Sequence, residues 1–594
     1  MGKSTICEAL DLVLGPDRLG RQPPIEEFDF YNAEYLSNPT GEGEERKPIT
    51  IRIEAILIEL TAEVENRCGS NLEFWRKSDQ TILNSGEIEA ANPPDVGACL
   101  RLEMLGRYDP EEDEFEAKTY FSHSPNAEED ELTAVPKLVK RMFGFLYLRA
   151  LRTGTRALSL ERGTLLDNIL RLQGVRTGLW EKAIERLRNL DIEKDATELE
   201  PVLRSIEQRL TRYIPSGSLS RATKLHVSQL TREHLRKTMA FFLAMAKDQC
   251  HVPFQQAGTG TLNTLVLALL TFIAELKPDT VIFAMEEPEI AVPPHTQRRI
   301  ADYLLQKTTQ AFVTSHSPYV IERFDPRQTL LLVRNEDDGS VTAKRISDAV
   351  GLKDNDYKRY ARRGLTECML GKGAIVVEGV TEFHALPVVA RKLEENDAKL
   401  QPLDIAGVAF FDAESDGPMP KFGAFFKALG LKTFSFYDHK ARKAAEKEKF
   451  TRSFDFDCEH AYTGFEALVA AEVPVDRLWT FLDDLRTSGA AGNVGIPAQR
   501  PADNVVKELT KQALLSHKGA GWAARLFESC TIEELPSTAT SFLQQVYALF
   551  PKPPDLPPVT VKDPATAEAP SSGGTGSSVE AVPAPKIDGR GRSR

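Results

Sequence analysis

The chain has 594 residues, 41% of them hydrophobic and 27% charged, which is the balance of an ordinary globular protein and enough length for two or three separately packed domains. Its 87 acidic and 74 basic side chains give a formal charge of -13, which excludes nucleic-acid binding by overall charge, demands local basic patches for it, and suits a protein that gathers divalent metals. The seven cysteines (Cys7, Cys68, Cys99, Cys250, Cys368, Cys458, Cys530) form no CxxC pair, against a disulfide framework or structural zinc; no apolar run is long enough to span a bilayer and no secretory leader is seen, so a cytoplasmic protein is expected.

Gly2, Lys3, Ser4 and Thr5, followed by an amphipathic helix, form the back half of a phosphate-binding loop of the pattern GxxxxGK[ST]. Its first strand and leading glycine turn are missing, so a start codon upstream of Met1 is expected; a chain starting at Met1 would bind ATP poorly, because a terminus must be ordered first. Residues 49–60 alternate apolar and polar as a half-buried strand, and 97–121 read as a hairpin about the charged turn 109–114. From 160 to 245 the spacing becomes helical, which marks an insertion. An apolar helix at 263–276 leads to strands at 280–285 and 310–315, the alternation of a parallel α/β sheet. A second α/β cycle runs through 374–379, 408–413, a helix at 420–429, and 432–438. Beyond 551 the chain is rich in Pro, Gly, Ser and Ala, which predicts a disordered tail over 552–594.

The chemistry sits at strand ends. Glu286 and Glu287 close the strand 280–285, where one carboxylate can hold magnesium through water and the next can polarise the attacking water. His316 follows the next strand, placed to sense a γ-phosphate. Gly258 and Gly260 precede the apolar helix, whose amides favour an anion. Each feature alone reads equally as a capping loop or a solvated acidic turn. Glu378 ends another apolar strand with Glu382 one helical turn on, and Asp412 and Asp438 end the strands that follow. Such clustered hard oxygen donors are what a two-metal phosphodiester site requires. Basic stretches at 357–364 and 439–449 are available for DNA, although charge runs are usually solvated faces.

Together, the phosphate loop, the glycine-rich helix start, Glu-Glu-Pro-Glu after a strand and Ser-His-Ser-Pro after the next resemble ATP-binding-cassette ATPases of the recombination and chromosome-maintenance type. The resemblance implies Mg2+ on Ser4 and Glu286, Glu287 as catalytic base, His316 as switch histidine, and ATP closed between two subunits, so a homodimer. Here Glu286 stands where an Asp is usual, and the signature lacks its serine-glycine-glycine core. The second cycle resembles the Toprim domain, whose strand-end Glu and later Asp-x-Asp hold metals. In this chain that motif is Asp438-His439-Lys440, so the second Asp is absent and its duty falls to Asp455, Asp457, Glu459 or Glu466.

An ATPase of this kind followed by Toprim resembles the overcoming lysogenization defect (OLD) nucleases, most like the class encoded beside a UvrD-like helicase in Gabija phage-defence systems. The implied organisation is ATPase over 1–160, helical dimerisation insertion over 161–245, ATPase again over 246–370, and Toprim nuclease over 371–551. The implied activity is a DNA endonuclease with two Mg2+ or Mn2+ ions on Glu378, Glu382, Asp412, Asp438 and a further acid, with Lys518 stabilising the transition-state phosphate. The alternative is an ATP-driven DNA clamp or recombination scaffold with a silent Toprim fold, suggested by the missing Asp.

Overall fold

Apolar alternation in the antiparallel strands and continuous apolar runs in the parallel ones set the sheets of this protein, and helices close over both faces of the C-terminal sheet. The computed structural model describes residues 2–20, 23–37, 46–90, 92–125, 131–148, 160, 164–188, 199–210, 231–239, 241–244, 251–258, parts of 261–272, 282–290, 292–335, 338–349 and 352–553. The expected tail lies outside them except at its first two residues, as does most of the expected helix 263–276.

The first sheet is antiparallel: β1 (Ile51–Ile58), β2 (Glu73–Arg76), β3 (Thr81–Leu83), β4 (Val96–Asp109) and β5 (Glu114–Phe121) lie in the order β1-β4-β2-β3, with β5 also on β4. The strand and the hairpin read from the sequence are β1 and β4–β5. Their inner face packs Leu100, Leu102 and Met104 against Cys7, Leu12 and Val13 of the helix Lys3–Leu14. Lys140 is buried behind that helix and its ammonium donates to the Leu12 carbonyl (3.2 Å) and Thr119 Oγ1 (2.7 Å). A cation there meets the negative end of the helix dipole.

β6 (Phe145–Leu148), β9 (Ile282–Glu286) and β10 (Gln310–Thr314) form a parallel sheet in the order β10-β9-β6. Ala284 faces the core shared with Lys3–Leu14, while Phe283 and Met285 face Ile300 and Leu304 of the helix Pro294–Lys307. Two short pairs complete this half: β7 (Phe242–Leu243) with β8 (Val252–Pro253), and β11 (Leu330–Arg334) with β12 (Val341–Arg345). The described part of the expected insertion is largely helical: Leu165–Leu172, Arg176–Arg188, Leu199–Leu210 and Arg232–Thr238.

The C-terminal sheet is wholly parallel, with β13 (Gly373–Val377), β14 (Val408–Asp412), β15 (Lys432–Tyr437) and β16 (Phe456–Glu459) in the order β14-β13-β15-β16. A parallel sheet must be covered on both faces. Ile375, Val377, Phe434 and Phe436 turn to one core with the helices Val380–Asn396, Phe465–Glu472, Val475–Thr487, Asp503–Ser516, Trp522–Ser529 and Ser537–Ala548. Ala374, Val376 and Phe411 turn to the other, with the helix Met419–Leu429 and residues 346–369. The segment 346–369, assigned by sequence to the preceding domain, therefore shares its core with this sheet.

Phe411 is fully buried among Tyr360, Phe422 and Phe426, at ring-centroid distances of 6.1, 4.6 and 5.6 Å. Replacing it with Ala is expected to destabilise the C-terminal domain by about 3–5 kcal/mol through lost burial and an unfilled cavity, read as a lower urea midpoint for that domain's transition.

Candidate active site

Parallel register brings one edge of the C-terminal sheet to a single chemical theme. In sheet order the strands end in Asp412, Glu378, Asp438 and Glu459: Val377 is level with Asp412 and with Phe436, and Tyr437 with Glu459. Each strand thus delivers a carboxylate to the carboxyl edge, the side on which open α/β sheets hold ligands. Two helix starts add more. Gly379 opens the helix that carries Glu382 in its first turn, and Gly464 the one that carries Glu466. A helix N-terminus favours negative charge.

Glu382 and Glu466 are 5% and 4% exposed. Burial pushes the Glu382 carboxyl up to about 8, and the charges of Asp438, Glu466 and Glu378 push the same way against the bond from its own backbone N–H. Those four acids therefore share one electrostatic neighbourhood. Asp438 Oδ1 is buried without a hydrogen-bond partner; His460 Nε2 is 2.9 Å away, but the two atoms do not meet in hydrogen-bonding geometry. Lys518 reaches the cluster from the loop after Asp503–Ser516, its ammonium 3.4 Å from Glu466 Oε1. That loop turns on Gly519 and Gly521 (φ +86° and +70°), and His517 stacks on Trp522 at 4.0 Å.

A divalent cation fits this donor set. An orphaned buried Asp oxygen beside two buried carboxyls is costly without a ligand. The donors are not drawn in around one point: among the described residues no group of three or more His, Cys, Asp or Glu stands ready as a metal shell. Glu378 accepts the Asp438 backbone N–H at 3.2 Å, and the Lys440 ammonium at 2.6 Å.

The expectation for Asp455 and Asp457 is corrected. Asp455 precedes β16 and accepts from Thr433 at the start of β15 (N–H, 2.8 Å) and from Lys427 (3.1 Å), at the opposite edge of the sheet. Asp457 is level with Ser435 within the strand, and its Oδ2 accepts the Tyr437 hydroxyl at 3.4 Å. Glu459 is at the right edge but is paired with Arg442 (3.0 Å), His439 (3.0 Å) and Lys447 (3.6 Å). Asp412 is also at that edge, its Oδ1 accepting the Glu414 N–H at 2.7 Å.

The basic stretches expected to meet DNA are partly turned inward. Arg442 is buried against the rings of Tyr437 and Phe450, where it binds Asp416 and Glu459. Lys358, Arg359 and Arg362 pair with Asp325, Glu414 and Glu322. His460 and Asp416 were not singled out by sequence, and Arg442 only as part of the basic stretch 439–449. The basic run 439–443 directly after Asp438 was the available signal for Arg442.

In the first half of the chain, the Lys3 ammonium lies 2.5 Å from His316 Nε2 and 3.1 Å from its Nδ1. Burial holds the Lys3 pKa below its ordinary value, against the pull of Glu287 and Glu289. Gly2 precedes the helix in the left-handed region (φ +90°), and Ser4 and Thr5 are exposed in its first turn. Glu286 is buried at the end of β9, with the Tyr147 hydroxyl donating to its Oε1 at 2.5 Å. Glu287 sits at φ +43°, uncommon for a residue with a Cβ, and its N–H donates to the Thr314 carbonyl at 2.8 Å. Glu289 Oε1 accepts the His316 N–H at 2.6 Å, so a carboxylate not expected from sequence sets the His316 loop. Gly258 accepts the Leu262 N–H through its carbonyl (3.1 Å); Gly260 lies outside the described residues.

Residues 166–321 match the family model of the AAA ATPase domain, and residues 369–439 that of the overcoming lysogenization defect protein-like TOPRIM domain. No curated protein matches the chain. Similar solved structures include the C-terminal region of the Xanthomonas campestris pv. campestris OLD protein (18% identity, 31% of this chain and 96% of that one, TM-score 0.22). Others are the C-terminal region of the Burkholderia pseudomallei OLD protein (14%, 30% and 98%, 0.21) and Stu0660 of Streptococcus thermophilus (10%, 60% and 82%, 0.25).

Glu382 carries its proton below about pH 8, so an ion that takes this carboxylate must expel it. Apparent Mn2+ affinity is expected to rise by up to about tenfold per pH unit from pH 6 to 8 and to level off above. Calorimetry in buffers of different ionisation enthalpy counts the released proton, and Glu382→Gln should remove both the slope and the release.

Proposed function

We propose, from a chain that joins an AAA ATPase domain to an overcoming-lysogenization-defect-like Toprim domain, that this protein is a metal-dependent DNA endonuclease, nicking or cleaving, regulated by its ATPase domain. The observation that carries the reading is that Glu378, Glu382, Asp438 and Glu466 lie with Lys518 at one sheet edge, with one buried Asp438 oxygen lacking a hydrogen-bond partner. When bound, Mg2+ or Mn2+ would supply an activated water and stabilise the oxygen that leaves phosphorus. Asp438 and Glu382 hold the cation side of the site, and Glu466 orients Lys518. The exposed Lys518 ammonium meets a non-bridging oxygen of the phosphate as charge builds there. Hydrolysis breaks one P–O ester bond and leaves a phosphomonoester and a hydroxyl.

In the ATPase half, Lys3 with Ser4 and Thr5 would meet the phosphates of Mg2+-ATP and Glu286 the ion, with Glu287 as base and His316 as sensor. Closure of such a site by a second subunit makes a homodimer through residues 161–245 the fitting assembly. By its motifs the chain fits a phage-defence role in the cytoplasm, beside a UvrD-like helicase. The pairing of Lys440 with Glu378 is the observation that favours the second reading, a DNA clamp with a silent Toprim fold.

Nicking of supercoiled plasmid in Mg2+ or Mn2+ decides between them. Glu378→Ala should abolish it with folding intact, and Lys518→Ala should lower it by about 100-fold or more while Mn2+ still binds. Unchanged nicking by Glu378→Ala overturns the proposed site, and no nicking by the wild type across metals and nucleotide states favours the clamp. Lys3→Ala should abolish ATP hydrolysis, read by phosphate release, and leave metal-dependent nicking in the absence of ATP.

A further inference from the structure

The acid cluster is divided into a half whose carboxylate oxygens are all hydrogen-bonded or ion-paired within the protein and a half in which one buried oxygen has no hydrogen-bond partner. In the first, Lys440 Nζ lies 2.6 Å from Glu378 Oε1 and 3.2 Å from Asp416 Oδ1. The other oxygen of Glu378 accepts the Asp438 N–H at 3.2 Å, and the other oxygen of Asp416 meets Arg442 at 2.9 Å. All four oxygens are thus engaged. In the second half, Asp438 Oδ1 is buried without a hydrogen-bond partner beside buried Glu382 and Glu466. On that side the exposed Lys518 lies 3.4 Å from Glu466, and the buried His460 Nε2 lies 2.9 Å from Asp438 Oδ1 outside hydrogen-bonding geometry.

Lys440 is not a side chain passing through. Its backbone N–H donates to Glu459 Oε1 at 3.3 Å, and Arg442, 5% exposed, donates to the Asp438 carbonyl at 3.0 Å, so the turn that carries it is clamped at both ends. The ammonium itself is 45% exposed, open to a substrate phosphate.

We propose that the Lys440 ammonium permanently takes the place of one of the two divalent ions expected for this site, so that the protein binds a single ion, on Asp438 with Glu382 and Glu466, and presents Lys440 to the phosphate as the second positive charge. The proposal rests on the metal-dependent nuclease reading above. Its physical basis is that paired ions stand about 3.5–4 Å apart, so a second ion on Glu378 would have to evict or abut an ammonium already bonded there.

The test is Mn2+ titration of the full chain without nucleotide, followed by electron paramagnetic resonance, with cluster-bound ions defined as those lost in Asp438→Asn. One such ion is expected per wild-type chain, with no exchange coupling. Lys440→Asp should bind two, spin-coupled at about 4 Å. Lys440→Met should keep one and lower cleavage by about 100-fold or more. Two coupled ions in the wild type overturn the proposal and leave the nuclease reading standing. No Asp438-dependent ion in the wild type overturns both. Should Lys440→Asp fail to fold, the wild-type count alone decides.

Discussion

Negative charge gathered at the edge of a buried sheet has to be balanced within a few ångströms, and the C-terminal domain is arranged around that requirement. Two carboxylates about 4 Å apart repel by roughly 4 kcal/mol at the effective dielectric near a protein surface. Here four strand ends and two helix starts each contribute one to the same edge. The chain answers in three ways. Arg442, Lys440 and Lys447 neutralise Asp416, Glu378 and Glu459; Glu382 keeps its proton; and Asp438 keeps an oxygen unsatisfied. Only the last two leave room for an ion.

The ATPase half shows the same economy of means on a smaller scale. Lys3 is the cation of its site, and Glu287, Glu289 and His316 surround it. Glu289 binds the His316 backbone, and the left-handed Glu287 is fixed across the sheet by Thr314, so adjoining strand ends are locked together by backbone hydrogen bonds. A non-glycine residue in that region costs of order 1–3 kcal/mol and persists where its surroundings over-determine it.

Five parallel strands, β9, β10, β13, β14 and β15, were legible as short apolar runs, all but β10 closed by an acid, whereas β6 and β16 were not read from the sequence. The Asp455 and Asp457 expectation failed for a different reason. In Phe-Asp-Phe-Asp-Cys-Glu the alternation is plain, but which end faces the site depends on where pairing with β15 begins, at Phe434 with Phe456. That is a long-range pairing, which places Asp455 beside Thr433 at the start of β15 and Glu459 beside Tyr437 at its end. The absence of the second Asp was visible at Lys440; that the lysine bonds to Glu378, 62 residues earlier, was not. Tyr147 on Glu286 belongs to the same class, a contact made across 139 residues by strand pairing.

The segment 346–369 has a consequence for modularity. Tyr357, Tyr360, Leu365, Cys368 and Met369 fill the core under Ala374, Val376 and Phe411. Arg359 and the Tyr360 hydroxyl bind Glu414, itself in the left-handed region, in the loop that presents Asp416 to Lys440. A fragment cut at residue 371 would lose part of the cover on one face of its sheet and leave that loop without its anchor. The transplantable unit begins near Ile346, upstream of the point where the sequence pattern changes, and a graft of this domain between proteins has to carry those residues with it.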